Sequence, residues 1–320
     1  MSDIALRFWQ AGVETVYATA VAATRKWYGQ GAIQQVGAEP TLVNEDRASY
    51  DAFHRASVPV LDYDWTFQGG LDLDDVVEQL RMAVNGAVTA PAGGGPPYIW
   101  TFTPGAALSS ATLEWDAAGE EYEMNGCMCD SFKLSGDANG GDVALEMSGP
   151  GKTRSTTTMT SLSDHATNVV QGWELKFYVD DLGDTPGTTE VPLTLIRWDI
   201  EVANALARKR RGDNSRYIAG LARGRRMLTG SILAEMNAAV LAEVTAQEAV
   251  TERLVRLELA NNVVADNGNY IMYIDVPCVL RAHTIEDDAE MTVVSFDFTS
   301  LYDSTNAFAY EFTVQNARAT

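Results

Sequence analysis

The chain has 320 residues, with 44 acidic against 23 basic side chains and a net charge of −21. That length allows two domains of roughly 150 residues, each with its own core. The charge argues against any role that depends on gripping a phosphate backbone, because most of the surface repels it. Three cysteines cannot build a disulfide framework, which fits a reducing compartment. No apolar run reaches the ~18–20 residues that span a bilayer. The opening MSDIALRFWQAGVETVYA has acidic Asp3 and lacks the basic start, apolar core and cleavage site of a secretory leader. The charge is uneven: residues 1–190 hold 27 acidic and 10 basic residues, net −17, and residues 191–320 hold 17 and 13, net −4. A soluble acidic protein that merely resists aggregation explains this, and so does a surface that faces nucleic acid without adhering.

In chain order, residues 1–57 show little periodicity and predict an extended arm with turns at Gly29, Gly31, Gly37 and Pro40. Val58 to Phe67 alternates apolar and polar residues, as a half-buried strand does. A helix is predicted over Asp72 to Val84. Leu73, Val76, Val77, Leu80 and Val84 form its apolar stripe, Asp72, Asp74 and Asp75 suit its first turn, and Gly86 stops it. The Gly/Pro loop after it holds neither helix nor strand. Strands are then predicted at Tyr98–Thr103, Ala111–Asp116, Cys127–Leu134, Val143–Ser148 and Trp173–Val179, with Thr153 to Ser161 either a strand or a loop. Asp180 to Pro192 has a linker composition.

Beyond it come strands at Thr194–Ala203, Tyr217–Ala222 and Met227–Met236, a charged turn at Arg208–Asn214, and a second helix over Ala246–Ala260. Tyr270–Arg281, Met291–Ser300 and Phe308–Val314 close the chain. Phe296, Phe298, Phe308, Tyr310 and Phe312 recur at a spacing of two, which buries one face of each strand.

Two stretches about 174 positions apart echo each other. Val76, Glu78 and Leu80 align with Val250, Glu252 and Leu254, and Tyr98 and Ile99 with Tyr270 and Ile271; each copy follows an alternating run. Strand, helix, loop and strand occurring twice indicates a duplicated domain. The expected division is an arm and first strands over residues 1–57, the rest of a first domain over 58–185, and a second domain over 186–320. The fold class is mainly β: two tandem β-sandwich or split-barrel domains, each with one flanking helix and extended arms or loops.

Chemistry is hard to find. Cys127 and Cys129 could chelate a metal from one strand face, yet no second pair or spaced histidine accompanies them, and small buried side chains explain them better. His54, His165 and His283 are scattered. Gly149–Thr153 (GPGKT) resembles the tail of a phosphate loop but lacks the glycine five residues earlier. The acidic groups Glu120, Glu121 and Glu123, and Glu286, Asp287, Asp288 and Glu290, lack a calcium-loop pattern and suit solvated turns. A hydrolase with paired carboxylates remains one alternative. Another is a carbohydrate- or receptor-binding module, with Trp65, Trp100 and Trp115 lining the ligand surface. The basic cluster Arg208, Lys209, Arg210 and Arg211, with Arg216, Arg223, Arg225 and Arg226 nearby, lacks interleaved aromatics. It suits a patch that docks on an acidic surface of another copy, a head-to-tail contact.

Three segments carry a resemblance. Gly12 to Trp27 (GVETVYATAVAATRKW) follows a G-x-E-T-x-Y-x-T-A-x-A-x-T pattern, departing at Ala18, where glycine is expected. Cys129 to Lys152 follows a strand, S-G, turn, V-x-L-x-x-x-G-x-G pattern, and Met291 onward resembles a set of closing strands. Together they resemble the tail tube (major tail) proteins of long-tailed, siphovirus-like bacteriophages, in a duplicated-domain form. The resemblance implies a structural, non-catalytic, cofactor-free virion protein, made in the host cytoplasm, whose rings stack into a hollow tube. It implies trimeric or hexameric rings, sheets joined edge to edge, and an acidic bore that double-stranded DNA crosses without specific binding. Implied partners are further copies of itself, the tape measure protein, the tail terminator and distal tail or baseplate proteins, and no membrane. Candidate inter-subunit contacts are Arg208, Lys209, Arg210, Arg211, Arg225, Arg226 and the loop glycines Gly93, Gly94 and Gly95. Candidate acidic lumen or interface residues are Glu120, Glu121, Glu123, Glu286, Asp287 and Asp288.

Overall fold

A computed structural model describes residues 8–36, 39–43, 53, 55–86, 97–117, 119–192, 194–265, 268–288 and 291–318. The first half contains β1 (Trp9–Val13), β2 (Arg25–Trp27), β3 (Gly29–Val36), β4 (Thr41–Val43), β5 (Arg55–Ser57), β6 (Asp62–Gly70), α1 (Val76–Ala83), β7 (Tyr98–Phe102), β8 (Ala111–Ala117), β9 (Glu120–Cys127), β10 (Ser131–Asp137), β11 (Ala144–Gly151) and β12 (Thr153–Thr156). The second contains β13 (Leu175–Asp181), β14 (Leu195–Ala203), β15 (Leu206–Lys209), β16 (Gly220–Arg223), β17 (Met227–Glu235), α2 (Ala238–Glu248), β18 (Glu252–Ala265), β19 (Gly268–Asp288), β20 (Met291–Ser300) and β21 (Glu311–Asn316). The protein is mainly β, with two helices among the described residues, and its strand pairs are antiparallel.

One long sheet runs β13-β18-β19-β20-β17-β14-β10-β11-β6-β3, with β21 and β7 branching from β19. A five-stranded sheet, β12-β9-β8-β1-β2, packs on its first-half end. Aromatic residues join these layers. Trp9, Trp115 and Tyr122 lie opposite one another on β1, β8 and β9 and stack at 5.8 and 5.4 Å between rings. Phe67 on β6 reaches across to Trp27 and Trp9, at 5.2 and 6.4 Å. Such ring pairs contribute beyond their buried area, about 1 kcal/mol each.

The same wiring occurs twice. β3, β6, β10 and β11 lie in the order β3-β6-β11-β10, with α1 between β6 and β10 in the chain. β14, β17, β19 and β20 lie in the order β14-β17-β20-β19, with α2 between β17 and β19. A small hairpin, β4–β5 or β15–β16, joins the first two strands of each set. β18 and the start of β19 take the place of the β8–β9 pair, and β13 that of β1.

The sequence echo does not follow this wiring. The second helix, predicted over Ala246–Ala260, lies earlier at Ala238–Glu248, and most of the predicted span is strand β18, Glu252–Ala265. Its start is fixed by Asn237, whose side-chain oxygen accepts the N–H groups of Ala239 and Val240. Val250 turns the corner at φ 56°, where no glycine marks the end. β7 pairs with β21 and has no counterpart in the second set. The first helix is shorter than predicted and buried nearly all round, Glu78 and Gln79 included, rather than amphipathic. Gly29 and Gly31 lie inside β3, not in turns: a Cβ at Gly31 would meet the Trp9 ring at 2.6 Å.

Two buried carboxylates pin the segment that follows β1. Glu14 accepts hydrogen bonds from the N–H groups of Ala18 and Gly126 (2.7 and 2.8 Å) and the hydroxyls of Ser110 and Thr112 (2.5 and 3.0 Å). Glu114 accepts from the Gln10 amide, the Thr160 hydroxyl and the N–H groups of Ala23 and Thr160, at 2.7–3.1 Å. Ala18 sits at φ 59°, in the left-handed region that favours glycine. Gly149 and Gly151 are required for a different reason: a Cβ there would strike the Met128 carbonyl or the Met124 side chain. GPGKT thus belongs to the β11–β12 corner, and no phosphate loop forms.

Ala18→Gly should raise the unfolding free energy by about 1 kcal/mol by removing left-handed strain. In a thermal melt that is an upward shift of roughly 2 °C. Glu14→Ala should lower it by about 3 kcal/mol, since it orphans the buried Gly126 amide and the part-buried Ala18 amide; an unchanged urea midpoint would contradict that account.

Candidate assembly surface

The six strands from β6 to β20 bury one face and leave the other open, as an antiparallel sheet with a single covered side does, and β3 and the end of β19 continue that sheet as exposed edges. Tyr63, Trp65 and Phe67 of β6 point into the core, while Asp62, Asp64, Thr66 and Gln68 point away. β10 turns Phe132 and Leu134 inward and Lys133 and Ser135 outward. β14 buries Trp198, Ile200 and Val202 and presents Arg197, Asp199 and Glu201. The pairing registers align Gln30, Gln68, Glu146, Lys133, Glu201, Thr229 and Thr299 in one row across seven strands. A neighbouring row holds Ser135, Asp199, Ser231 and Asp297.

Carboxylates outnumber cations on this face, and most of its other residues are polar. A depression of about 670 Å³ opens on it, lined by Gln68, Lys133, Glu146 and Glu201 among others. Among the described residues no three His, Cys, Asp or Glu side chains converge as a metal-binding set. Cys127, Cys129 and Cys278 are buried and free, and burial pushes the Cys278 thiol up to about 12.

The two halves of the open sheet meet at β10 and β14. Seven residue pairs run from Ser131 opposite Ala203 to Asp137 opposite Arg197. Buried Asn204 locks the joint, donating to the Ala83 and Cys129 carbonyls at 2.8 and 2.9 Å. Arg226 donates to the Val84 carbonyl at 2.8 Å, so second-half residues close the end of α1. The β15–β16 hairpin then lies against the first half, where Arg208 pairs with Asp62 and Asp64, and Arg210 with Asp62. Across the joint Arg197 meets Asp137 at 3.2 Å. The N–H of Asn139, with help from Arg197, holds the Asp137 carboxyl below its usual range.

Two strand edges remain at the ends of this sheet. Among the described residues β3 pairs only with β6, and the 282–288 stretch of β19 only with β20. Both are largely exposed.

The residues predicted from sequence are spread over this molecule. Arg208 and Arg210 are engaged within the chain, while Lys209, Arg211 and Arg225 are exposed beside them. Arg226 is half-buried behind α1. Glu120, Glu121 and Glu123 start β9, on the five-stranded sheet and away from the open face. Glu286, Asp287 and Asp288 end β19, on the unpaired edge. Gly93, Gly94 and Gly95 lie outside the described residues. Trp65, Trp100 and Trp115 are buried, which removes the aromatic platform that a carbohydrate-binding reading needs. The face carboxylates Glu146, Asp199, Glu201 and Asp297 were missed; their signal was the polar member of each alternating strand, as in SFDF and WDIEV.

An open polar sheet face that ends in unpaired edges suits a structural β protein. The chain belongs to the phage tail tube protein family, whose sequence profile matches residues 7–300. Its role is therefore structural, as a component of the virion's tail. No curated protein matches the chain. No helix of the described residues is long and apolar enough to cross a membrane.

Arg208→Ala should cost no more than about 1 kcal/mol of global stability, because the Arg208 pairs are partly exposed and screened. Its effect should instead be local. Hydrogen exchange of the β15–β16 amides should accelerate at least tenfold, with β10 and β14 unaffected; uniform acceleration across the sheet would show that the pairs hold the joint itself.

Proposed function

We propose that this chain is the repeating subunit of the hollow tail tube: copies join edge to edge into rings, rings stack, and double-stranded DNA passes without specific binding. The observation that carries this reading is the repeated four-strand set, already welded once within the chain at β10 and β14. The same kind of weld between chains, from β19 of one copy to β3 of the next, uses both unpaired edges of the eight-strand face and closes it into a ring. We read the two sets as two domains, the second taking in β13. Two domains per chain make three copies sufficient for six pseudo-equivalent positions. The resulting barrel exceeds the ~16–18 strands that already leave an aqueous channel.

In this arrangement the open face lines the bore. Its carboxylates repel phosphates, so DNA slides rather than binds. Lys209, Arg211 and Arg225, the cations left exposed beside the β15–β16 hairpin, suit contacts with the acidic first half of a copy in the next ring. The tape measure protein would occupy the bore before DNA, with terminator and distal tail proteins at the two ends.

Negative-stain electron microscopy of concentrated protein should show rings or tubes with threefold symmetry around a channel. Successive strand residues direct their N–H groups to opposite sides. Of Gln34→Pro and Gln35→Pro, the one that removes an outward N–H should abolish rings and keep the monomer's melting profile. A protein that stays monomeric at millimolar concentration with its tail partners present would overturn the reading.

A further inference from the structure

The internal joint allows the external one to be written residue by residue. β6 and β17 have equal length, nine residues, and the same inward alternation, which sets Asp62 against Met227 and Asp64 against Thr229. The pairing registers carry that match across each set. Asp64 faces Gln34 and Thr229 faces Glu201, so Gln34 corresponds to Glu201. Thr66 faces Ser148, which faces Ser131; Ser231 faces Asp297, which faces Ala282. Strand β10, Ser131–Asp137, therefore corresponds to 282–288 of β19, a stretch of the same length whose far side is unpaired.

Within the chain Lys133 faces Glu201. The corresponding residues are Thr284 and Gln34, on the two edges that remain. The hairpin contact transfers too, but its chemistry changes. Inside the chain Arg208 of β15 reaches the carboxylates at the start of β6. At the start of β17 the matching position is Met227, 44 % exposed, and the matching hairpin strand β4 presents Leu42, 53 % exposed. The internal contact is ionic; both sides of its external counterpart are apolar and uncovered. Leu241 on α2 and Val250 just beyond it are exposed, whereas second-half residues cover the end of α1.

Resting on the tube-subunit reading above, we propose that a second copy of this chain docks in the register of the internal joint. Gln34 of β3 lies opposite Thr284 of β19, and Leu42 of the β4–β5 hairpin seats against Met227. The hairpin contact is apolar, so raising salt from 50 to 500 mM does not dissolve the ring, although it weakens the internal Arg208 pairs.

The test is cysteine cross-linking in the full chain under mild oxidation. Directly opposed antiparallel residues lie 4.5–5.5 Å apart between Cα atoms, within disulfide reach. Gln34→Cys with Thr284→Cys should yield covalent dimers and trimers in at least half the material. Gln34→Cys with Glu286→Cys, two residues off register, should yield at least fivefold less. Lys133→Cys with Glu201→Cys, the internal equivalent, shows that the geometry and oxidant suffice. Met227→Asp and Leu42→Asp should each raise the concentration needed for rings at least tenfold with unchanged melting, since both side chains are exposed in the monomer. Rings on the grid with the off-register pair cross-linking preferentially, or indifferent to both apolar variants, overturn this register and leave the tube reading standing. Absence of rings altogether removes the reading beneath it.

Discussion

A β-strand that is paired on one side only leaves its outward N–H and C=O groups to water or to another strand. In this molecule that constraint governs the rest. The long sheet could have ended at β10 with an unpaired margin, but β14 takes that margin and continues the same face. The sandwich layers, the helices and the pinned N-terminal segment all lie on the opposite side. They bury the inward alternation of each strand and hold the sheet in shape, leaving eight strands with a polar face exposed.

The supporting layer is polar at two points where an apolar one would be simpler. Glu14 and Glu114 are buried, and a buried carboxylate stabilises only when most of its acceptor positions are used. Each here accepts four hydrogen bonds, three of the eight from backbone N–H groups outside the strands, those of Ala18, Ala23 and Thr160. Residues 14–24 cannot form a strand against β8 along their whole length, so side-chain oxygens satisfy the backbone in place of a ladder. The Glu of the sequence pattern is thus a backbone-satisfaction device, and Ala18 tolerates a left-handed conformation because its amide is held by Glu14.

Much of the strand content was legible because period-2 alternation survives wherever one face is buried: β11, β14, β17 and β20 lie close to their expected places. The helix over 246–260 was misplaced for a physical reason. In RLVRLELANN, Leu254, Val255, Leu257 and Leu259 fit a helical stripe nearly as well as a strand, and the decision came from partners 74–84 residues away in β13 and 13–23 residues away in β19. Gly29 and Gly31 were misjudged as turns because the sequence cannot show that Trp9 and Phe67 press against that strand. The open face was half legible. Its polar residues alternate plainly, but which alternating strands share one sheet depends on the β10–β14 joint, which no local signal announces.

Duplication changes what each joint must do. The internal joint is covalently tethered, so its partners meet at high effective concentration and need register more than affinity. Paired charges and a buried asparagine serve that purpose, since they penalise a slipped alignment more than they stabilise the correct one. An external joint has no tether and must overcome the loss of translational freedom, for which apolar area is the more dependable contribution. The difference between Arg208 with its two aspartates and the uncovered Leu42 and Met227 follows that division. Two copies of one fold can therefore carry the same geometry with different chemistry, because one joint has to be specific and the other has to hold.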